Sequence, residues 1–103
     1  MAQQSTIGKH ATTVATDKDD VTRVTYHSTV VVEHRPDGTV RLDSGGWPSA
    51  TTKTRMNQAA MQLGLSFHVR QSKGTWYVDT RHSTLEFTDG MVIDLRKGEL
   101  VTV

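Results

Sequence analysis

The sequence predicts a small α+β domain: an antiparallel β-sheet of hairpins with one α-helix packed on it. Short Val- and Thr-rich segments alternate in hydrophobicity, Gly-containing turns separate them, and only one segment has helical periodicity. Successive hairpins give an antiparallel sheet, and the helix covers its apolar face. The predicted order is ββαβββββ. A chain of 103 residues has room for one such domain with a single core.

The N-terminal segment differs from the rest of the chain. Residues 1–20 are polar and aperiodic, so they are predicted to form a mobile tail, with a late edge strand. Residues 21–103 then form the single α+β domain. Within it, alternation over residues 21–35 predicts one long half-buried strand. A Pro-Asp-Gly turn at 36–38 closes a hairpin onto a return strand.

One helix is predicted at about residues 52–63, because its apolar residues recur at i, i+3, i+4 and i+7. The stripe consists of Met56, Ala59, Ala60 and Leu63. Gly64 is a typical C-cap residue, because it adopts the left-handed conformation without strain.

Three further elements follow the helix. Residues 66–80 are predicted to form a hairpin across a Ser-Lys-Gly turn. Residues 85–95 are predicted to form another across Asp89-Gly90. A short strand at 99–103 ends the sequence, and its low charge indicates an edge at which a second copy could pair as a homodimer.

Composition excludes several classes of function. Without cysteine there is no disulfide, thiol nucleophile or thiolate metal site. No apolar run approaches a membrane span or a signal peptide, so we expect a cytoplasmic protein that makes no membrane contact.

The net charge is +1, yet residues 47–81 carry five Lys or Arg and one Asp. A basic middle segment favours an anionic partner, although five cations are few for a dedicated nucleic-acid binder.

The most informative segment joins the second predicted strand to the helix. A Gly-Gly-Trp turn precedes a Thr-rich helix start that carries two cations, where the helix dipole disfavours positive charge. This arrangement predicts a binding site for an anion or a partner, with backbone N–H groups as donors. The predicted residues are Gly45, Gly46, Trp47, Thr51, Thr52, Lys53 and Arg55. In the alternative interpretation, the glycines only form a tight turn, Thr51 or Thr52 caps the helix, and Trp47 packs on the core.

A second candidate surface lies on the outward face of the 66–80 hairpin. Cations beside an aromatic ring on a wet sheet face can stack on bases and neutralise phosphates. The residues of this predicted nucleic-acid face are His68, Arg70, Lys73 and Tyr77. The alternative is a solvated face with an incidental cation–π pair.

No catalytic constellation is present in the sequence. There is no G-x-S-x-G motif or P-loop, and the aspartates lie at turns, where Asp is favoured for local hydrogen bonding. The five histidines lack the spacing of a metal site. We therefore predict no enzyme activity, no catalytic residue, no metal and no cofactor.

The segment from Gly38 to Ala60 resembles small uncharacterised proteins encoded by bacteriophages and related mobile elements. The shared pattern is Gly-Gly-Trp followed by Thr-Thr-Lys-x-Arg-x-Asn, here Gly45 to Asn57, and the resemblance covers about residues 21–95. It implies a phage-encoded accessory protein that binds a host protein machine and inhibits or redirects it, as host-defence inhibitors such as anti-CRISPR proteins do. The partner would be a host protein or protein–nucleic-acid complex. The alternative from the basic residues is a small nucleic-acid-binding module.

Overall fold

A computed structural model describes the chain over residues 11–46 and 48–101. In this part of the chain it has one helix, α1 (Ala50–Leu63), and nine strands. The strands are β1 (Thr12–Thr16), β2 (Thr22–Tyr26), β3 (Thr29–His34), β4 (Thr39–Leu42), β5 (Phe67–Ser72), β6 (Thr75–Thr80), β7 (Thr84–Glu86), β8 (Met91–Asp94) and β9 (Glu99–Leu100).

The strands form two antiparallel sheets. The larger sheet has the order β1-β2-β3-β4-β8-β9, and the smaller has the order β5-β6-β7. Helix α1 packs on β2 and β3 of the larger sheet and against β5 of the smaller one. The predicted fold class, α+β with antiparallel hairpins and one helix, is therefore confirmed, although the hairpins divide between two sheets.

The predicted long strand at 21–35 is wrong, because the chain reverses within it. β2 and β3 pair with each other, with Tyr26 opposite Thr29. His27 lies between them at a φ of 56°, a conformation that few non-Gly residues adopt. The expected alternation also fails within β3, where the consecutive residues Val31 and Val32 are both fully buried. The predicted order ββαβββββ therefore becomes ββββαβββββ.

The other additional strand lies in the predicted tail. β1 runs through residues 12–16 and pairs with β2, with Val14 opposite Val24. It corresponds to the edge strand expected late in this segment. The folded domain thus begins near Thr12 instead of Val21, and residues 1–10 lie outside the described part of the chain.

The hairpin predicted across Asp89-Gly90 is also wrong. β7 pairs with β6, whereas β8 pairs with β4, with Leu42 opposite Met91. The Gly90 N–H donates to the Leu42 carbonyl at 2.8 Å. Residues 87–90 therefore cross from the smaller sheet to the larger one. A local turn signal cannot distinguish a crossing from a hairpin, because both need a reversal of the chain.

The core lies where α1 meets both sheets. Met56, Ala59 and Ala60 of the predicted stripe are buried and Leu63 packs against the same cluster, as predicted. Gly64 is the left-handed C-cap, with a φ of 68°. The buried strand residues of the core are Val24, Val31, Val32, Val40, Leu42, Phe67, Val69, Trp76, Val78, Met91 and Ile93, and Leu95 follows β8.

One polar residue of α1 enters this core. The Asn57 side chain is 5% exposed and bonds both main-chain groups of Val69. Its Nδ2 donates to the Val69 carbonyl at 2.8 Å, and its Oδ1 accepts from the Val69 N–H at 2.7 Å. The amide thus occupies the place that a neighbouring strand would take at the edge of β5.

We expect Asn57→Leu to lower the free energy of unfolding by about 2–5 kcal/mol, because it leaves two main-chain groups of Val69 buried without partners. Chemical denaturation measures the loss. Thr51→Leu also replaces a polar side chain of α1 with leucine, but on the exposed side of the helix, and should have a much smaller effect. Equal stabilities of the two variants would contradict this role for Asn57.

Candidate functional site

The described residues of the predicted binding segment form a loop between β4 and α1, which we call the corner loop (residues 43–46, 48 and 49). Ser49 is the helix N-cap: its Oγ accepts from the Thr52 N–H at 3.1 Å. The predicted caps, Thr51 and Thr52, are therefore wrong, since both already lie within α1. Thr52 is buried, with its Oγ1 3.0 Å from the Ser49 Oγ, while Thr51 is exposed. Trp47, predicted to belong to this site, lies outside the described residues.

Asp89 anchors the corner loop. Its Oδ1 accepts from the Ser44 N–H at 2.8 Å and from the Ser44 hydroxyl at 2.6 Å. Its Oδ2 accepts from the Gly46 N–H at 3.2 Å, and Asp43 accepts from the Gly45 N–H at 2.6 Å. The two glycine N–H groups predicted to cradle an anion are thus bonded to carboxylates of the chain itself.

The same contacts determine the electrostatics of the loop. Burial alone raises the pKa of Asp89, but hydrogen bonds from Ser44 and from the Gly46 N–H, with Arg41 nearby, bring that pKa below its ordinary value. Asp89 is consequently ionised at neutral pH. A negative charge held at the Gly-Gly turn opposes the binding of a second anion there.

Gly45 is needed at its position for two reasons. Its φ is 71°, in the left-handed region that favours glycine. A β-carbon at this position would also clash with the Thr29 hydroxyl of β3. The glycine therefore lets the corner loop lie directly against the β2–β3 hairpin.

The two cations of the predicted site have different roles. The Lys53 ammonium lies 6.0 Å from the centre of the Trp76 ring of β6. The Arg55 guanidinium donates to the Thr12 hydroxyl of β1 at 3.1 Å and to the Gln58 amide oxygen at 3.0 Å. It also lies 5.7 Å from the Tyr26 ring. Arg55 therefore connects α1 to the edge strand, which explains a cation near this helix end without an anionic ligand.

Two clefts flank the corner loop. The hairpin cleft has a volume of about 360 Å³ and lies between the loop and the β2–β3 turn. It is lined by Tyr26, His27, Thr29, Val31, Ser44, Gly45, Ser49 and Thr52. The aromatic cleft, about 340 Å³, lies on the other side, against the smaller sheet. It is lined by Ser44, Pro48, Gln71, Gly74, Trp76, Phe87, Thr88 and Asp89.

The second predicted surface is on the opposite side of the β5–β6 hairpin from the aromatic cleft. The structure brings Arg70 and Tyr77 together, with the guanidinium 5.0 Å from the ring centre. Arg70 also pairs with Asp79 at 2.7 Å. His68 lies opposite Asp79 in the strand register, and Lys73 is exposed at the turn. The charge of Arg70, one of the two Lys or Arg residues of this face, is therefore offset within the chain.

Asp79 is held in its ionised form by these neighbours. A hydrogen bond from the Thr84 hydroxyl, followed by that from Arg70, lowers the pKa of Asp79 below its ordinary value. The Arg70–Asp79 pair thus persists at neutral pH and reduces the attraction of this face for phosphates.

Sequence reasoning missed two residues that shape the candidate site, Asp89 and Ser49, and one that holds β5 to the helix, Asn57. Asp89 was predicted only as a turn residue, Ser49 was not considered as the cap, and Asn57 had no predicted structural role. The Ser-x-x-Thr spacing from Ser49 to Thr52 was an available signal for the cap. Asp89 and Asn57 bind partners that are distant in the chain, and no local pattern shows these pairs.

Two general features of the described residues bear on function. None of their His, Asp and Glu side chains form a group of three that could hold a metal ion. The single helix among them is too short and too polar to cross a membrane.

The comparisons with known proteins place the chain among phage proteins. Residues 1–94 match the family model described as Kyanoviridae Gp96 protein. No curated protein and no solved structure matches the chain.

We expect Asp89→Asn to destabilise the protein by on the order of 1–3 kcal/mol at neutral pH, because the bonds it removes have a charged acceptor. The lowered pKa of Asp89 means that this stabilisation is complete above about pH 4 and is lost as pH falls through the folded-state pKa. Denaturation of both proteins at pH 7 and in acid measures the difference. Asp19→Asn, in the exposed β1–β2 turn, is the matched control. A difference that does not shrink in acid would refute the assignment.

Arg55 is hydrogen-bonded to β1 and Lys53 is not, so we expect charge reversal at these two residues to affect stability differently. Lys53→Glu places an acidic group near the helix N-terminus and should change stability by less than about 1 kcal/mol. Arg55→Glu breaks the link to β1 and should cost about 1–2 kcal/mol. Hydrogen exchange should show faster exchange of the β1 amides only in the Arg55 variant. Equal protection of β1 in both variants would show that Arg55 does not hold the edge strand.

Proposed function

Since the chain belongs to the Kyanoviridae Gp96 protein family, a family of phage proteins, we propose that it is an accessory protein that binds a host protein and inhibits or redirects it. The binding surface in this proposal is the corner loop with the aromatic cleft beside it. The proposed activity is non-enzymatic, needs no cofactor, and takes place in the cytoplasm of the bacterial host. Inhibitors of host defence, including anti-CRISPR proteins, are one class of protein that acts in this way.

The observation that carries the proposal is that the polar groups around the corner loop are hydrogen-bonded to other groups of the chain. Asp89 and Asp43 accept from the main-chain donors of the loop, and Ser49 and Thr52 bond each other. Across residues 11–46 and 48–101, every buried side-chain nitrogen or oxygen has a hydrogen-bond partner. A loop fixed in this way is preorganised, which reduces the entropy cost of binding a partner.

The aromatic cleft supplies the apolar contact that protein recognition needs. Trp76 and Phe87 pack with ring centres 5.3 Å apart, and Pro48 forms part of the rim. Aromatic pockets of this kind hold the anchor side chains at the centre of protein interfaces. A volume of about 340 Å³ accommodates one or two side chains of a partner.

Lys53 adds a charge preference to this surface. Its ammonium lies beside Trp76, at the edge of the cleft, and no acidic residue lies in the first turn of α1. Asp89, which is ionised, lines the same cleft, so a matching partner segment would place an apolar anchor in the cleft and an acidic side chain beside Lys53, away from Asp89. The proposed partner is therefore a host protein with an acidic, apolar surface segment.

A second candidate function is nucleic-acid binding through His68, Arg70, Lys73 and Tyr77. The observation that favours it is the Arg70–Tyr77 stack at 5.0 Å on an exposed sheet face. The ion pair with Asp79 weakens this candidate. Salt separates the two functions, because phosphate contacts lose affinity steeply as the salt concentration rises.

We also propose that the protein forms a homodimer, through the edge of the larger sheet at β9. β9 is an edge strand of the larger sheet, and Leu100 and Val101 are 49% and 41% exposed. Glu99 is the one charged residue of this two-residue strand, and exposed apolar side chains at an open edge favour pairing with a second copy. Light scattering of the purified protein would show whether it pairs.

Two variants of the aromatic cleft test the proposed function. Lys53→Glu reverses the charge of the residue beside Trp76, and Thr88→Arg obstructs the cleft. We expect each to weaken binding of the captured host protein by at least about tenfold. Lys18→Glu, in the distant β1–β2 turn, should bind as the wild type does. The measurement is capture from host lysate with and without nuclease, followed by titration of the purified partner.

The outcomes distinguish the candidates. Capture that survives nuclease and moderate salt, and that both cleft variants weaken, supports the proposal. Undiminished binding by both variants would overturn the assignment to the aromatic cleft. Loss of capture on nuclease treatment would favour the nucleic-acid candidate.

A further inference from the structure

A third cleft, which we call the basic cleft, lies at the C-terminal end of α1, about 20 Å along the helix from the corner loop. Its volume is about 400 Å³. It lies between the helix C-cap, the β3–β4 turn, the β6–β7 turn and the end of β8. Four of its lining residues carry nitrogen donors: His34, Arg81, His82 and Arg96. None of its lining residues carries a carboxylate.

The two guanidinium groups are largely available. Within the described residues, Arg81 is exposed and forms no hydrogen bond or ion pair. The Arg96 side chain is 72% exposed, and its only ion pair with a described residue is a long one, 3.6 Å from Asp94. The same Asp94 oxygen accepts from the Arg96 N–H at 2.9 Å. Both guanidinium groups therefore keep N–H donors that no carboxylate of the described residues accepts from, whereas Arg70 forms a close ion pair with Asp79.

The β6–β7 turn that carries Arg81 and His82 is firmly positioned. The Thr80 hydroxyl accepts from the N–H groups of His82 and Ser83 at 3.1 and 3.0 Å. The Ser83 hydroxyl donates to the Gly98 carbonyl of the β8–β9 turn. A β-carbon at Gly98 would lie 2.7–2.9 Å from atoms of Thr80, His82 and Ser83. The glycine thus permits the close contact that holds this turn to the larger sheet.

Arg96 is placed by a similar close approach. Its side chain lies across Gly38 of the β3–β4 turn, with Nε 3.0 Å from the position a β-carbon would take. The Leu95 N–H donates to the Gly38 carbonyl at 3.1 Å. The two arginines of the cleft are thus carried by separate turns that are each hydrogen-bonded to the larger sheet.

We propose that the basic cleft binds the phosphoryl group of a small phosphate ester, of the size of a mononucleotide. Two guanidinium groups and two imidazoles offer several N–H donors to three phosphate oxygens, and arginine forks match phosphate geometry. A cleft of about 400 Å³ is larger than a phosphate, so it also has room for the organic group of the ester. This proposal does not depend on the aromatic cleft or on a host partner.

A purely structural role for these cations makes a different prediction. Helix α1 has no basic residue in its last turn, and Arg81 and His82 lie near its negative end. If they only offset the helix dipole, their loss would lower stability and no anion would bind.

NMR titration of the ring protons of His34 and His82 tests the proposal, with inorganic phosphate in one arm and adenosine monophosphate in the other, at constant ionic strength. We expect both ligands to shift these signals, and the nucleotide to bind more tightly. Arg81→Gln and Arg96→Gln should each weaken binding by roughly tenfold, the loss of one charge-assisted contact. Lys18→Gln removes the same charge elsewhere and should leave the affinity unchanged.

The outcomes distinguish three possibilities: a site for a phosphate ester, a site for free phosphate, and a purely structural role for the arginines. Tighter binding of the nucleotide supports the proposed ester, whereas equal affinities would identify free phosphate as the ligand and overturn the ester. No shift with either probe, or equal affinities of wild type and both arginine variants, would overturn the site. A lowered melting temperature of Arg81→Gln without any phosphate binding would establish the structural role instead.

Discussion

Asn57 contacts β5 as a neighbouring strand would, with one amide that both donates to and accepts from Val69. The rest of the architecture depends on this pair, because it joins the smaller sheet to the helix that packs on the larger one. Apolar contacts between α1 and β5 are non-directional and would tolerate sliding. The two hydrogen bonds fix the register of β5 against the helix, and a buried amide with both its groups paired specifies one arrangement.

Asp89 makes the corresponding contact at the other junction of the two sheets. It follows β7 in the smaller sheet and precedes β8 in the larger one, and its carboxylate holds the loop that leads into α1. The position of the corner loop is therefore coupled to the crossing between the sheets. This coupling is why the two clefts beside the loop are preformed, and preformed clefts bind with a smaller entropy cost than loops that must order.

Local signals were sufficient for the elements that close within a few residues. The stripe that starts at Met56, the Gly64 cap and the β5–β6 hairpin were all predictable, because each depends on periodicity or on turn residues. The reversal at His27 was not, since it uses a left-handed residue that is not glycine. The pairing of β8 with β4 was also not predictable, because Leu42 and Met91 are distant in the chain and a turn motif carries no information on which edge a strand will join.

For the candidate site, sequence reasoning identified the Gly-Gly segment that leads into α1, but not the groups to which its main-chain donors are bonded. The Gly-Gly turn does offer main-chain donors, but Asp43 and Asp89 accept from them. Asp89 is distant from the Gly-Gly turn in the sequence, and both aspartates were predicted only as turn residues. A donor pattern alone therefore cannot show whether an anion site is vacant, because the anion that fills it can be a side chain of the same protein.

The basic middle segment shows how folding redistributes charge that is contiguous in the sequence. Arg55 bonds β1 and Gln58, and Arg70 pairs with Asp79, so these two cations stabilise the fold. Arg81 has no such partner among the described residues, and it lines the same cleft as Arg96, which comes from a different segment of the chain. An excess of cations along a segment is thus a weak guide to a binding surface. Cations from separate segments that line one cleft with no carboxylate in its lining are a stronger guide, because neighbouring charges of one sign repel each other until a counter-charge binds.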